Sequence, residues 1–291
     1  MHASSFYYMF AYCTSLTTVP LFDTSNVTAM VGMFEGCSSL TTVPLFDTSN
    51  VTTMSSMFEG CSSLTTVPLF DTSKVTHMTY GFRGCTSLST VPLFDTSKLT
   101  SMDGMFEDCT SLATVPLFDT SNVTVMRYGF RGCSSLTTVP LFDTSKVTNM
   151  SNMFDSCTSL TTVPSFDMRN VTSMSKIFNR CYALTNCYFR NIKTDLQVGF
   201  STSYGHLLTV ESLLHLIKEC RDTGLIKTLT IGTANLEKLA NTYVRVIDIT
   251  DEMRAEDDLI DEKLPFEVCE STDEGAMLIT DYVLEKNWQL K

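Results

Sequence analysis

The chain has 291 residues, is 43% apolar and carries a formal net charge of −12. It has no cluster of Lys and Arg to serve as the basic face that phosphate binding needs, and its charge is repelled by anionic membrane, so nucleic acid is not an expected partner. No run of 18 apolar residues occurs, so no membrane insertion is expected.

Residues 1–13, MHASSFYYMFAYC, have no basic leader or long apolar run and do not read as a secretory signal. They read instead as half of a repeat, with Phe6, Met9, Phe10 and Cys13 in phase with Met30, Met33, Phe34 and Cys37. A stacked array normally needs a polar cap. This open half-turn, with Phe6, Tyr7, Tyr8 and Phe10, is therefore a candidate assembly surface for other subunits.

From there to residue 182 a 24-residue unit recurs without slipping, as LTTVPLFDTSNVTTMSSMFEGCSS at 40–63. Pro stands at 20, 44, 68, 92, 116, 140 and 164, Asp three residues after each, and Cys at 13, 37, 61, 85, 109, 133, 157 and 181. A constant period with no insertions means that each unit is one turn of a solenoid, seven to eight turns over 1–182. Within the unit, Leu40, Val43 and Leu45 alternate like a short strand that places Val43 and Leu45 on one face and ends at Pro44. Val51, Met54, Met57, Phe58 and Cys61 have the spacing of a short helix or 3-10 turn. Asp47-Thr48-Ser49-Asn50 is turn chemistry, and Gly60 supplies the positive φ that leaves the turn. The expected class is thus an α/β solenoid.

D-T-S-N-V-T followed by M-F-x-G-C, repeated in this way, resembles the BspA-like leucine-rich repeat family of surface proteins, found in gut bacteria and their phages. The resemblance implies a leucine-rich repeat fold with an adhesion or recognition role and no catalysis. The stretches at 207–214 and 229–232 and the ending 285–290 are similar to the tail module that follows such repeats.

The aligned Asp read as acceptors for N–H groups of their own turns, with stacked calcium sites as the sharper alternative; the Gly-rich turns of calcium repeats are missing. The aligned Cys read as small apolar fillers of an inner row with reduced thiols, although stacked turns would bring them within disulfide reach. Four His lack ligand spacing, and no nucleophile, phosphate-loop or zinc-protease motif occurs. No cofactor, metal or enzymatic activity is expected, and the N-V-T sequons at 26, 50, 122 and 170 are repeat consensus.

The phases of Asn50, Thr53, Ser55, Ser56, Glu59 and Gly60 vary between units and are the expected exposed positions. Two units depart together, MTYGFRGC at 78–85 and MRYGFRGC at 126–133. Tyr80, Arg83, Arg127, Tyr128 and Arg131 would share one face two turns apart, and Tyr and Arg are favoured at binding hot spots. The plainer reading is a duplicated block in which Tyr fills the space left where Gly81 and Gly129 replace the inner Met.

Residues 183–291 lose the period and read as a small α+β capping module carrying a charge of −8. A helix is expected over 209–221 with Thr209 as N-cap, a strand over 225–232 and a helix over 234–240. Strands are expected over 243–250 and 264–270, with an acidic loop near 251–263 between them, and a final helix over 273–287 with Trp288 packing back. The span 243–272 looks like an insertion. Together these readings suggest a non-enzymatic binding protein whose partner is a protein or a cell-surface glycan. Its expected setting is a phage virion appendage, with a bacterial cell-surface adhesin or a scaffold subunit as the alternative.

Overall fold

The computed structural model describes residues 4–192, 208–209 and 212, together with five short strands between 227 and 290. From 4 to 192 the chain is a stack of turns. Isolated parallel bridges join residues 24 apart, Ser5 to Ala29 to Thr53 to His77, and Ser101 to Val125 to Asn149 to Ser173.

Neither element expected within the unit forms as such. The bridges lie at the phase of Thr53, and at the phase of the expected strand a ladder appears only late. There Thr138 bridges Thr162, and β1 (Thr162–Val163) pairs in parallel with β2 (Asn186–Cys187). Residues 54–61 are consecutive tight turns and not a helix. The N–H groups of Met54, Ser56, Phe58 and Gly60 donate to the carbonyls of His77, Thr79, Gly81 and Arg83 in the next turn, at 2.7–2.9 Å. Those of Met57, Glu59 and Cys61 donate to carbonyls three residues back in their own turn. A helix must point every amide along its own axis with negative φ throughout. Here Ser56 and Gly60 have φ of 55° and 71°, which turns alternate amides towards the neighbouring turn. The three-to-four spacing of Met and Phe fits both arrangements, and neighbouring carbonyls at a fixed 24-residue offset decide between them.

The core is built from rows. Phe34, Phe58, Phe82, Phe106, Phe130 and Phe154 stack with centroids 5.6–5.8 Å apart, and a second row through Phe46, Phe70, Phe94, Phe118 and Phe142 packs beside it. Val, Met, Leu and Cys fill the remainder. Each thiol from Cys37 to Cys181 donates to a carbonyl 27 residues back, as Cys61 does to Phe34 at 3.0 Å. The nine cysteines from Cys13 to Cys187 are free, and all but Cys13 are buried. Burial pushes the Cys181 thiol up to about 12 and those of Cys85, Cys133 and Cys157 well above the usual thiol range.

Leu45 does not share a face with Val43. Val43 is 5% exposed, Phe46 2% and Leu45 59%. The reason is local: Phe46 N–H donates to Pro44 O at 3.0 Å, which closes a three-residue turn with Leu45 at its apex. The bond recurs at Phe70, Phe94, Phe118 and Phe142, so alternation breaks at every proline and the leucine is pushed outwards. The Asp residues behave as expected, Asp47 Oδ1 accepting from Ser49 N at 3.0 Å and Ser49 Oγ at 2.7 Å. These bonds, the hydroxyl's first and the amide's second, hold the carboxyls of Asp47, Asp71, Asp95, Asp119 and Asp143 below the usual carboxylate range.

Stacking continues past residue 182, since Thr185 N–H donates to Thr161 O and Thr209 N–H to Thr185 O, both within 2.9 Å. Thr209 caps as expected, accepting from Ser212 N–H at 3.2 Å, and Ser212 is helical. The rest of that helix, the helix at 234–240 and the acidic loop lie outside the described residues. Further along, β3 (Lys227–Leu229) pairs in parallel with β7 (Trp288–Leu290). Between them in sequence, β4 (Tyr243–Val246) pairs antiparallel with both β5 (Phe266–Cys269) and β6 (Met277–Leu278). The expected final helix over 273–287 is thus interrupted by β6, and Trp288 belongs to a strand. Hydrogen-bonding partners already present in β4 and β3 override the local helical pattern.

Candidate functional site

The variable phases expected to be exposed are mostly half-buried, because each side chain lies against its counterparts one turn away; among those named, Asn50 is exposed. Chemistry concentrates on the face made by residues 54–61 of each unit and their counterparts. At the phase of Glu59 runs a chain of opposite charges through five turns. Arg83 Nη1 meets Glu59 Oε1 and its Nε meets Glu107 Oε2, both at 3.1 Å. Arg131 Nη1 meets Glu107 Oε1 at 2.5 Å, and its Nε lies 3.8 Å from Asp155 Oδ2. Asn179 Nδ2 ends the row by donating to Asp155 Oδ1 at 2.8 Å. Glu107 is the most deeply set of the three Glu and Asp side chains, 6% exposed and shared by two guanidinium groups that are themselves about 40% exposed. The hydrogen bond that Arg131 donates to Glu107 comes first among the causes that raise the Arg131 pKa.

Beside this row lie the tyrosines. Tyr80 has Arg83 over its ring at 5.3 Å, and Tyr128 lies between Arg127 at 5.3 Å and Arg131 at 5.9 Å. Arg127 grips Asp103 with Nε at 3.3 Å and Nη2 at 2.8 Å, a bond that raises its own pKa. Burial comes first among the causes that raise the Tyr80 pKa, with Asp103 and Glu107 adding to it. Both tyrosines carry positive φ, 57° and 59°.

Tyr80 does not fill the space left by the missing methionine. Its ring lies across Gly104 of the next turn, where an added Cβ would come within 2.2 Å of it. The space at Gly81 remains as an apolar cavity of about 10 Å³ among Met54, Met57, Phe58, Met78 and Phe94. A void of that size without several polar partners stays dry.

Of the five residues singled out by sequence, Tyr80, Arg83, Tyr128 and Arg131 line an open cleft of about 400 Å³ with Glu107, Asn152, Asp155 and Lys176, and Arg127 lies beside it between Asp103 and the Tyr128 ring. Sequence reasoning missed the partners Glu59, Asp103, Glu107, Asp155 and Asn179. The signal was present, since Glu59, Arg83, Glu107, Arg131 and Asp155 stand 24 residues apart with alternating charge. Near the chain start, Tyr7, Tyr8 and Tyr12 are more than half exposed, whereas Phe6 and Phe10 pack on the core, Phe10 stacking on Phe34 at 5.5 Å. Among the described residues, no three His, Cys, Asp or Glu are grouped to hold a metal ion.

A family described as "Mycoplasma protein of unknown function, DUF285" matches residues 4–117 and 114–194. No curated protein matches. Solved structures to which the chain is similar are bacterial leucine-rich repeat proteins. One from T. pallidum is 24% identical over 57% of this chain and 76% of its own, with a TM-score of 0.43. One from Eubacterium ventriosum is 19% identical over 66% and 55%, with a TM-score of 0.39. A leucine rich cell surface protein from Faecalibacterium prausnitzii is 20% identical over 63% and 68%, with a TM-score of 0.27.

Proposed function

The chain belongs to the family described as "Mycoplasma protein of unknown function, DUF285", and from that premise we propose that it is a non-enzymatic recognition protein of a bacterial surface, binding a protein or glycan partner in the cleft between Tyr80 and Tyr128. The observation that carries this reading is the cleft itself, about 400 Å³ of open space with two tyrosines and a row of paired charges in its wall. Rigid aromatic rings offer apolar area at little entropic cost, and fixed guanidinium and carboxylate groups present donors and acceptors in set directions. Because the Arg side chains are already paired, recognition there is by oriented hydrogen bonds and ring contacts more than by net charge. The virion setting has no support among the proteins described above, and the bacterial surface takes its place.

The test is binding of the purified chain to two immobilised probe sets, bacterial and animal cell-surface glycans, and extracellular-matrix proteins. Binding to a member of either set, weakened at least about tenfold by Tyr80→Ala with Tyr128→Ala, is the expected result. Binding that the double variant leaves unchanged, or no binding to either set, overturns the assignment.

A further inference from the structure

Leu21, Leu45, Leu69, Leu93, Leu117 and Leu141 are each 55–66% exposed and occupy the same phase of six successive turns. Each of the last five stands at the apex of the tight turn closed by the following Phe N–H on the preceding Pro carbonyl. The result is a continuous ridge of leucine along the stack. Six half-exposed leucines with the prolines beside them, exposed at Pro20 and half-buried from Pro44 to Pro140, present apolar surface on the order of several hundred Å². That exceeds what isolated exposed residues explain and approaches the roughly 800 Å² per partner of a stable interface.

We propose that this ridge is a self-association surface on which a second copy of the chain docks in parallel, leucine row beside leucine row. Three observations select that occupant. The row repeats once per turn, and a partner whose side chains recur at the same spacing contacts every leucine along its length; another copy has that spacing by construction. By chain order, exposed Thr42 and half-buried Pro44 lie on one side of Leu45 and exposed Asp47 on the other. A two-fold axis along the row lets each leucine row rest on the partner's proline side and leaves both Asp rows outside in water as a polar rim. An antiparallel dimer would set Asp row against Asp row, and those carboxyls are held ionised by their Ser partners. The ridge uses none of the side chains of the Tyr80–Tyr128 cleft, so the two assignments fail independently.

The experiment is sedimentation equilibrium of the full chain at several concentrations and salt levels. A reversible dimer that tightens as salt screens the charge of −12 on each copy is expected. Leu69→Ser with Leu93→Ser and Leu117→Ser should weaken it by roughly a hundredfold while the circular dichroism spectrum is kept, since all three side chains are exposed. Leu45→Cys alone and Leu141→Cys alone should each cross-link to their own kind on oxidation, beyond any cross-linking of the unsubstituted chain. A monomer at every concentration, a dimer indifferent to the triple substitution, or cross-linking only when the two Cys variants are mixed would each overturn the proposal.

Discussion

A single phenylalanine here touches its counterparts on both sides and a second row across the core, so deleting one opens a hole that rigid neighbours cannot close. Phe106 packs against Phe82 and Phe130 at 5.6 Å and Phe118 at 6.0 Å. Phe106→Ala should cost about 3–5 kcal/mol, measured by urea unfolding with an unchanged slope. The aspartates act through protonation. Their carboxyls titrate lower in the folded chain than the ordinary value near 3.9. The stability they contribute is therefore fully present above about pH 4 and lost as pH falls through the folded values. Thermal unfolding midpoints should be flat from neutral pH down to about 4.5 and then fall. Asp→Asn at several of these positions should flatten the acid limb, because an amide oxygen still accepts from the Ser amide but does not titrate.

At the scale of one turn, the charge row is the element with the most to lose. Glu107→Gln keeps the shape of the side chain but leaves Arg83 and Arg131 each short of one charged partner. With the guanidinium groups partly in water, the expected loss is about 1–3 kcal/mol, against near zero for Glu59→Gln at the end of the row. Equilibrium unfolding of the two variants side by side checks it. The turn also shows what the sequence could and could not disclose. Period, phase, core rows, capping by Thr209 and the shared face of Tyr80 and Tyr128 follow from spacing alone. The helix did not follow, because Met54, Met57, Phe58 and Cys61 satisfy helical spacing equally well in a run of tight turns. Leu45 was misplaced because alternation assumes an extended backbone, and the Pro44–Phe46 bond reverses it. The cleft's charged floor was legible only by comparing residues 24 apart.

For the whole molecule, the constant offset of 24 residues sets what the stack tolerates. Excising residues 38–61 removes one unit, rejoins Cys37 to Ser62 in phase and brings Glu35 to the turn beside Arg83, an attractive replacement for Glu59. That chain should fold, unfold cooperatively and lose only the increment due to one turn. Excising one residue fewer shifts every following side chain out of its row and should abolish cooperative unfolding, as read by circular dichroism during heating. The same offset has a mechanical meaning. Between residues 4 and 192 each turn is tied to the rest by the bonds it makes to the turn before and the turn after, so a load applied at the two ends passes through these boundaries in series and one boundary yields at a time. Under tension the stack should pay out in steps of one turn, each freeing 24 residues or roughly 80 Å of chain. A single-molecule pulling trace should show evenly spaced force peaks at about that interval. A tether built this way yields in instalments and holds its grip through a jolt that would snap a rigid link.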